Sequence, residues 1–271
     1  MAYSLQPRVT YTVGSRPYAV TSGDVNRDGR LDLITADDGS STVSVLLGTG
    51  TGTFEPPITY GVGVGTFSVS LADVNRDGRP DLLTANRGDG GIHLLLGTGT
   101  GTFGTPTPYD VDGIPHSVIS ADVNRDGLPD LITANYGSNT AAVLLGTGSG
   151  SFAAAVTYAV GRDPYQVAAA DLDGDGALDL ITSNALDGTV SVLRGTGTFG
   201  AQTTYAVGPE PFELVTADVN EDGKRDLVVA NGGSQSVSVL LNDGAGGFGL
   251  QATFAAGAAP YSTPGRRWRA E

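Results

Sequence analysis

A nine-residue acidic loop recurs five times along this chain, each time just ahead of a short apolar run. The copies are Asp24-Val-Asn-Arg-Asp-Gly-Arg-Leu-Asp32, Asp73-Val-Asn-Arg-Asp-Gly-Arg-Pro-Asp81, Asp122-Val-Asn-Arg-Asp-Gly-Leu-Pro-Asp130, Asp171-Leu-Asp-Gly-Asp-Gly-Ala-Leu-Asp179 and Asp218-Val-Asn-Glu-Asp-Gly-Lys-Arg-Asp226. They begin at residues 24, 73, 122, 171 and 218, so the steps are 49, 49, 49 and 47 residues. A fixed period of this length is the signature of a repeat architecture, in which each unit buries its surface against its neighbours.

Within each copy, oxygen-bearing side chains fall at loop positions 1, 3, 5 and 9, and glycine falls at position 6. Calcium is a hard cation that takes six to eight oxygen ligands, and this spacing folds several of them around one centre. The expected ligand sets are Asp24, Asn26, Asp28 and Asp32; Asp73, Asn75, Asp77 and Asp81; Asp122, Asn124, Asp126 and Asp130; Asp171, Asp173, Asp175 and Asp179; and Asp218, Asn220, Asp222 and Asp226. The backbone carbonyl of position 7 completes each set, from Arg30, Arg79, Leu128, Ala177 and Lys224. Glycine at position 6 permits the sharp turn because a Cβ there is expected to clash. Position 9 is expected to bind through both oxygens. Magnesium fits less well, since it prefers a tight octahedron and keeps its waters.

An EF-hand shares positions 1, 3, 5 and 6 but requires a bidentate Glu at position 12 and flanking helices. Position 12 here is Thr35, Thr84, Thr133, Thr182 and Val229, and a strand-like run such as Asp-Leu-Ile-Thr-Ala follows. The EF-hand is therefore excluded. A metal-free Asx-turn would leave three or four carboxylates crowded in one loop, which like-charge repulsion opposes. The expectation is up to five bound Ca²⁺ ions, with the fourth loop, which has four Asp, binding tightest.

Other landmarks keep the same step. Tyr18, Phe67, His116, Tyr165, Phe212 and Tyr261 form one register. Tyr11-Thr-Val-Gly14, Tyr60-Gly-Val-Gly63, Tyr158-Ala-Val-Gly161 and Tyr205-Ala-Val-Gly208 precede it, and a Gly-Thr-rich turn ending in Phe recurs at 48–54 and 97–103, with variants at 146–152 and 195–199. One repeat reads as four short strands, at about Tyr18–Ser22, Leu31–Ala36, Thr42–Leu47 and Pro57–Val62, because β-branched and aromatic residues fill these runs while Gly and Asp fill the gaps. No window shows helical periodicity. Four strands in about fifty residues, repeated, describe a β-propeller blade. The fold class expected is all-β: a single β-propeller over residues 1–262 built of five full repeats, with a partial sixth repeat and a tail at 263–271. Residues 8–14 read as a fourth-type strand ahead of the first full repeat, and residues 250–261 as a fourth strand plus the start of a sixth.

Net charge is −14, and more than half of the 29 acidic residues sit at loop ligand positions. Five bound dications, +10 in all, would bring −14 to −4, so the acidity reads as metal-binding charge. No basic, aromatic-interleaved stretch suits nucleic acid. With 0 Cys there is neither a disulfide framework nor a thiolate site. No apolar run approaches the length of a membrane span. Residues 1–15 lack a basic start followed by an apolar core, so no signal peptide is visible.

The Asp-x-Asn/Asp-x-Asp-Gly-x-x-Asp loop, the Phe-Gly pairs at Phe103-Gly104, Phe199-Gly200 and Phe248-Gly249, and the Gly-x-x-Pro elements at Gly14–Pro17, Gly161–Pro164 and Gly257–Pro260 together resemble the FG-GAP family and the related VCBS-type bacterial repeats. Phe54-Glu55 and Phe152-Ala153 depart from the Phe-Gly pattern. The resemblance extends to the N-terminal propeller of integrin alpha chains and to propeller lectins. It implies metal loops on one face of a disc and inter-blade loops on the other. Members typically have seven blades, where five full repeats are read here.

Three functions remain open at this point. The first is a non-enzymatic, calcium-stabilised recognition or adhesion module, extracellular or at the cell surface, for a glycan or protein ligand. Tyr18, Phe67, His116, Tyr165 and Phe212 would then ring the channel mouth opposite the metal loops and stack on sugar faces; the competing reading is that they pack between blades. The second is a structural accessory domain of a larger secreted protein. The third is a propeller hydrolase or lyase. Against it, His93 and His116 lie in different repeats, no Ser-His-Asp or Cys-His set is apparent, and His93 is expected to face solvent. No catalytic residue is assigned.

Overall fold

The computed structural model describes residues 8–257. The partial sixth repeat, Tyr261 and the tail at 263–271 fall outside these residues. The described chain is all-β apart from a single turn of 3₁₀ helix at Gly232–Ser234. Its strands form five four-stranded antiparallel sheets, one per repeat, each ordered as the strands follow in sequence.

The first repeat runs Pro17–Gly23, Asp32–Asp37, Thr42–Leu46 and Ile58–Gly61, within a residue or two of the positions expected from the sequence. Later repeats begin at Thr66–Ala72, Ile114–Ala121, Pro164–Ala170 and Pro211–Ala217, and end at Thr107–Asp110, Val156–Ala159, Thr203–Ala206 and Ala252–Ala255. In the third repeat the Gly-Thr turn also forms a small ladder of its own, Gly146–Gly148 with Ser151–Phe152. Second and third strands are almost wholly buried, as in Asp81–Asn86, where all six residues are inaccessible. Outer strands are exposed. This gradient is what sheets stacked face to face around an axis require.

Four buried clusters join the five sheets. Ile34, Ala36, Val43 and Val45 of the first repeat pack on Val69, Leu82 and Leu95 of the second. Leu83, Ile92 and Leu94 then meet Val118, Leu131 and Leu144. Ile132, Val143 and Val167, Leu180 follow, and Ile181, Val190 and Leu214, Leu227 close the series. Alternation along each second and third strand thus divides its side chains between a leading face, covered by the preceding repeat, and a trailing face, covered by the next. His93 is on a leading face, which corrects the expectation that it faces solvent: its side chain is 15% exposed and its Nε2 lies 3.5 Å from Asp89.

A second contact between repeats lies further out. The tyrosine of each of the first four outer strands meets, edge to face, the phenylalanine that ends the glycine-rich turn of the next repeat. Tyr60–Phe103, Tyr109–Phe152, Tyr158–Phe199 and Tyr205–Phe248 have ring centroids 5.7, 5.3, 5.3 and 5.2 Å apart. Tyr11 makes the same contact with Phe54 at 5.6 Å, and its hydroxyl accepts the Phe54 N–H. Residues 8–13 nevertheless form no strand, contrary to the sequence expectation. The partner such a strand needs is the third strand of a preceding repeat, and none is present among the described residues. Glycines make room for this stacking: a Cβ on Gly161 or Gly208 would come within 2.5 or 2.6 Å of Asn184 or Asn231 in the following repeat.

Edge-to-face aromatic pairs contribute about 0.5–1.5 kcal/mol beyond their buried area. A double-mutant cycle on Tyr158→Leu and Phe199→Leu, followed by denaturant unfolding, is expected to give a coupling energy in that range; additive losses would show that the two rings act independently.

Candidate functional site

Each acidic loop links the inner and second strands of its repeat, at the opposite end of the inner strand from the aromatic register. The loop is held by its own side chains. In the first, Asp24 accepts N–H bonds from Asp28 at 3.0 Å and Gly29 at 2.8 Å, while Asp28 accepts from Arg30 at 2.9 Å. The second and fifth repeat this pattern at Asp73 and Asp77 and at Asp218 and Asp222. Where position 3 is Asn, its amide donates to the position-5 carboxylate, as from Asn26 to Asp28, Asn75 to Asp77, Asn124 to Asp126 and Asn220 to Asp222.

The reason for glycine at position 6 differs from the expected one. A Cβ on Gly29, Gly78 or Gly223 would meet nothing within 4 Å, but φ there is +79° to +84°, left-handed backbone that favours glycine. Position 4 is left-handed as well, at Arg27, Arg76, Arg125, Gly174 and Glu221. Only the fourth loop meets that demand with glycine.

The position-9 carboxylates are buried. Asp32 accepts the Val25 N–H at 2.9 Å within the loop and the Gly48 N–H at 2.7 Å in the Gly-Thr turn sixteen residues on. Asp81, Asp130, Asp179 and Asp226 make the same two bonds, the last to Asn242. Each therefore ties the loop to the turn between its third and outer strands. Burial pushes the carboxyls of Asp81, Asp130 and Asp179 above the ordinary range, against the pull of those N–H donors. The loop acids Asp73 and Asp77, and Asp122 and Asp126, push Asp81 and Asp130 the same way.

Two observations bear on whether these residues suit a cation. Ligand oxygens of Asp171, Asp173 and Asp175 lie within 4.8 Å of one another. In the third loop, Asp122 Oδ1 is buried with no hydrogen-bond partner, whereas Asp24, Asp73 and Asp218 use that oxygen to accept a loop N–H. A carboxylate has about four lone-pair sites, so position 9 keeps acceptor capacity beyond its two N–H bonds. The donor set fits a hard cation. Cationic side chains also reach in: Arg30, Arg79 and Lys224 fold back on the position-5 carboxylates at 3.8, 3.8 and 3.6 Å. In the fourth loop, Arg194 reaches Asp179 at 2.8 Å and Asp173 at 3.6 Å. The sequence reading missed this guanidinium, which stands where the other repeats have Leu47, Leu96, Leu145 and Leu241.

At the other end of the inner strands, the aromatic register gathers at the axis. Every inner strand carries a β-bulge at the register residue, which re-aims that side chain out of simple alternation. Tyr18 packs on Phe67 at 3.9 Å, Phe67 stacks on His116 at 4.3 Å, and Tyr165 meets Phe212 at 4.8 Å. Tyr18 and Tyr165 hydroxyls are hydrogen-bonded at 3.1 Å. These five residues line a cavity of about 230 Å³ together with Ser68, Ser70, Ser117, Gln166 and Glu213. They thus pack on one another and line a pocket at once. His116 lies between Phe67 and Tyr136, its Nδ1 buried and unpartnered. Burial, reinforced by the Arg87 charge, lowers its pKa to about 3.

The profile of the FG-GAP-like repeat matches residues 24–84, 73–133 and 122–182, more than half of the chain. The chain belongs to the FG-GAP-like repeat family. No curated protein matches it in sequence. Among solved structures, this FG-GAP protein is similar to an Agrocybe aegerita lectin that recognises non-reducing terminal N-acetylglucosamine, with 21% identity, TM-score 0.57, and 87% of this chain and 66% of that chain covered. It is similar to a putative 6-phosphogluconolactonase from Bacteroides fragilis, with 16% identity, TM-score 0.67 and coverage of 90% and 71%. Virginiamycin B lyase from Staphylococcus aureus gives 12%, 0.61, and 91% and 71%. At these identities the likeness is one of fold, and it establishes the β-propeller. The neighbours span a lectin and enzymes. No helix among the described residues is long and apolar enough to cross a membrane.

His116 supplies a pH test. Its folded pKa lies below the ordinary 6.5, so the folded state resists protonation; the stability this neutral ring contributes is present above 6.5 and is lost as pH falls toward 3. His116→Phe, which copies Phe67 and Phe212, removes that term. Melting between pH 7.5 and 4.5 is expected to show a smaller fall for His116→Phe than for the unmutated chain; equal falls would contradict a buried neutral imidazole.

Proposed function

We propose that this FG-GAP propeller is a calcium-bound, non-enzymatic recognition module, extracellular or at the cell surface, with a glycan or protein ligand. The observation that carries the metal half is the acidic loop: five copies keep oxygen-bearing side chains at positions 1, 3, 5 and 9, and in the third a position-1 oxygen, Asp122 Oδ1, is buried without a partner. Residues at positions 1, 3, 5 and 9 would hold the ion, with the carbonyls of Arg30, Arg79, Leu128, Ala177 and Lys224. Burial, and after it repulsion from the loop acids, pushes Asp81 and Asp130 upward, and a bound dication would offset both. The ion is structural in this reading, because the loop is already built into a hairpin. The FG-GAP family and the abundance of calcium outside cells support the location.

The recognition half rests on the axial pocket. Aromatic faces of Tyr18, Phe67, Tyr165 and Phe212 stand beside the polar groups of Gln166 and Glu213, a combination suited to stacking on and hydrogen-bonding to a sugar ring. The fold it shares with an N-acetylglucosamine-binding lectin supports a glycan. A purely structural role is favoured by one observation, the close packing of Tyr18 on Phe67. The hydrolase or lyase reading gains nothing from the histidines: His116 is stacked between rings and His93 rests on Asp89.

Calcium binding only the folded form raises stability by mass action. Chelation is expected to lower the melting temperature by several degrees, and a curve indifferent to chelator would refute the structural ion. In the fourth loop Arg194 already supplies a cation, so an ion there competes with it. Titration calorimetry on Arg194→Leu is expected to show a several-fold tighter site that Asp175→Ala abolishes; no change in either variant would mean that this loop holds no ion. A glycan array including N-acetylglucosamine-terminated chains, read with and without Phe212→Ala, tests recognition: binding that the substitution removes supports the pocket, and a flat array leaves the structural role.

A further inference from the structure

Every second strand ends on a fully buried polar residue: Asp37, Asn86, Asn135, Asn184 and Asn231. In three repeats two hydroxyls of the third strand hold it. Ser44 and Thr42 donate to Asp37 at 2.6 and 3.4 Å. Asn184 donates to Thr189 and Ser191 at 3.0 and 2.8 Å, and Asn231 to Ser236 and Ser238 at 3.1 and 2.8 Å. That serine also accepts an N–H from Gly14, Gly161 or Gly208. In the third repeat Asn135 accepts from Thr133 and donates to Thr140 and the Val111 carbonyl. The second repeat breaks the pattern. Gly91 and His93 stand where the two hydroxyls stand elsewhere. Asn86 donates to Thr84 at 3.1 Å, but its Oδ1 is buried without a partner. Asn231 Oδ1 is unpartnered too, but there Val229 replaces the threonine. His93 Nδ1 is likewise buried and unpartnered. A unit that departs from the rule its siblings obey marks a functional or strained place.

The surroundings of His93 point to a ligand. Its Nε2 stands 3.5 Å from Asp89 Oδ2. That is longer than an N–H···O hydrogen bond, at about 2.7–3.2 Å. It is the spacing of two ligands on one ion, because bonds of about 2.0–2.2 Å at a tetrahedral angle hold their donor atoms about 3.4 Å apart. Asn86 converges on the same place. A Cβ on Gly63 would collide with Asp89 Oδ2 and lie 2.7 Å from the Asn86 amide, so both side chains meet beside this glycine. Asp89 Oδ2 accepts the Val64 N–H at 3.1 Å, which fixes the carboxylate and leaves it further lone pairs. Arg87 lies between these residues in sequence but is turned away, over Phe67 and toward Asp38. His93 and Asp89 keep some contact with solvent, which gives an entry path.

We infer that His93, Asp89 and Asn86 form a transition-metal site of the zinc type. His93 Nε2, a carboxylate oxygen of Asp89 and Asn86 Oδ1 are its three protein ligands, and water takes the fourth position, as in open zinc sites. The imidazole decides the class of ion. Calcium and magnesium take oxygen ligands, whereas imidazole beside a carboxylate suits zinc and its first-row neighbours. The three residues lie outside the axial pocket. They also lie outside the acidic loops, because Asp89 belongs to the turn between second and third strands, at the far end of the second strand from its loop. A zinc ion here shares no ligand with the loops, and the site holds whether or not they carry calcium.

The test titrates the full chain with zinc chloride in excess calcium, by calorimetry and by NMR of the imidazole nitrogens. The chain has 2 His, so His116 serves as the internal control. Zinc is expected to shift the ring resonances of His93 and leave those of His116 in place. His93→Ser restores the residue that three sibling repeats carry; it is expected to fold as before and to bind one zinc ion fewer. Asp89→Asn keeps an acceptor for Val64 and should weaken the site at least ~10-fold. Asn86→Asp, which copies Asp37, should tighten it several-fold. Zinc that is not taken up, that leaves the His93 ring unmoved, or that binds His93→Ser as tightly and in the same number would overturn the proposal. The ring resonances of the unmutated chain decide the matter even if a variant fails to fold.

Discussion

The buried carboxylate at loop position 9 is the interaction on which the rest of each repeat depends. A sheet of four short strands has two places where its halves can come apart: the loop joining the inner and second strands, and the turn joining the third and outer ones. Asp32 spans both, accepting Val25 N–H from one and Gly48 N–H from the other, and four equivalents do the same. A carboxylate removed from water is costly unless fully bonded. That cost is visible in the raised pKa directions of Asp81, Asp130 and Asp179. A loop of oxygen donors that gathers a cation beside this carboxylate would offset the penalty where it arises, which links the acidity of the chain to the integrity of its blades.

Beyond the single repeat, the governing constraint is coverage. Second and third strands are buried on both faces in the inner repeats, so each sheet there has two neighbours. The chain meets that need with aliphatic contacts near the axis and edge-to-face Tyr–Phe contacts further out. The aromatic register closes the axis at the end away from the loops. One end of the molecule is therefore acidic and solvated, and the other is aromatic. The aromatic pocket lies at the second.

Much of this was legible in the sequence because the period is regular. Strand positions followed from β-branched runs bounded by Gly and Asp, and the oxygen-bearing positions of the loops followed from spacing. What escaped was set by contacts between repeats. The bulges that turn Tyr18 and Phe67 inward leave no mark in composition. The pairing of Tyr60 with Phe103 joins residues 43 apart, in segments whose periodicity was plain but whose meeting was not. His93 stands where Ser44 stands one repeat earlier, and a polar residue in that alternation suggested solvent; a neighbouring sheet covers it instead. Glycine at position 6 was identified for the wrong reason, since the space beside Gly29, Gly78 and Gly223 is open and the backbone angle is what demands it. Arg194 among the fourth-loop acids was invisible because its counterparts are leucines.

Amide hydrogen exchange at Gly48, Gly97, Gly146, Gly195 and Asn242, measured with and without calcium, tests the central claim most directly. These five N–H groups are the turn donors to the position-9 carboxylates. The account predicts that all five are protected well beyond the exposed turn residues around them, and that calcium slows their exchange together. Exchange at the rate of the surrounding turn, unmoved by calcium, would contradict it.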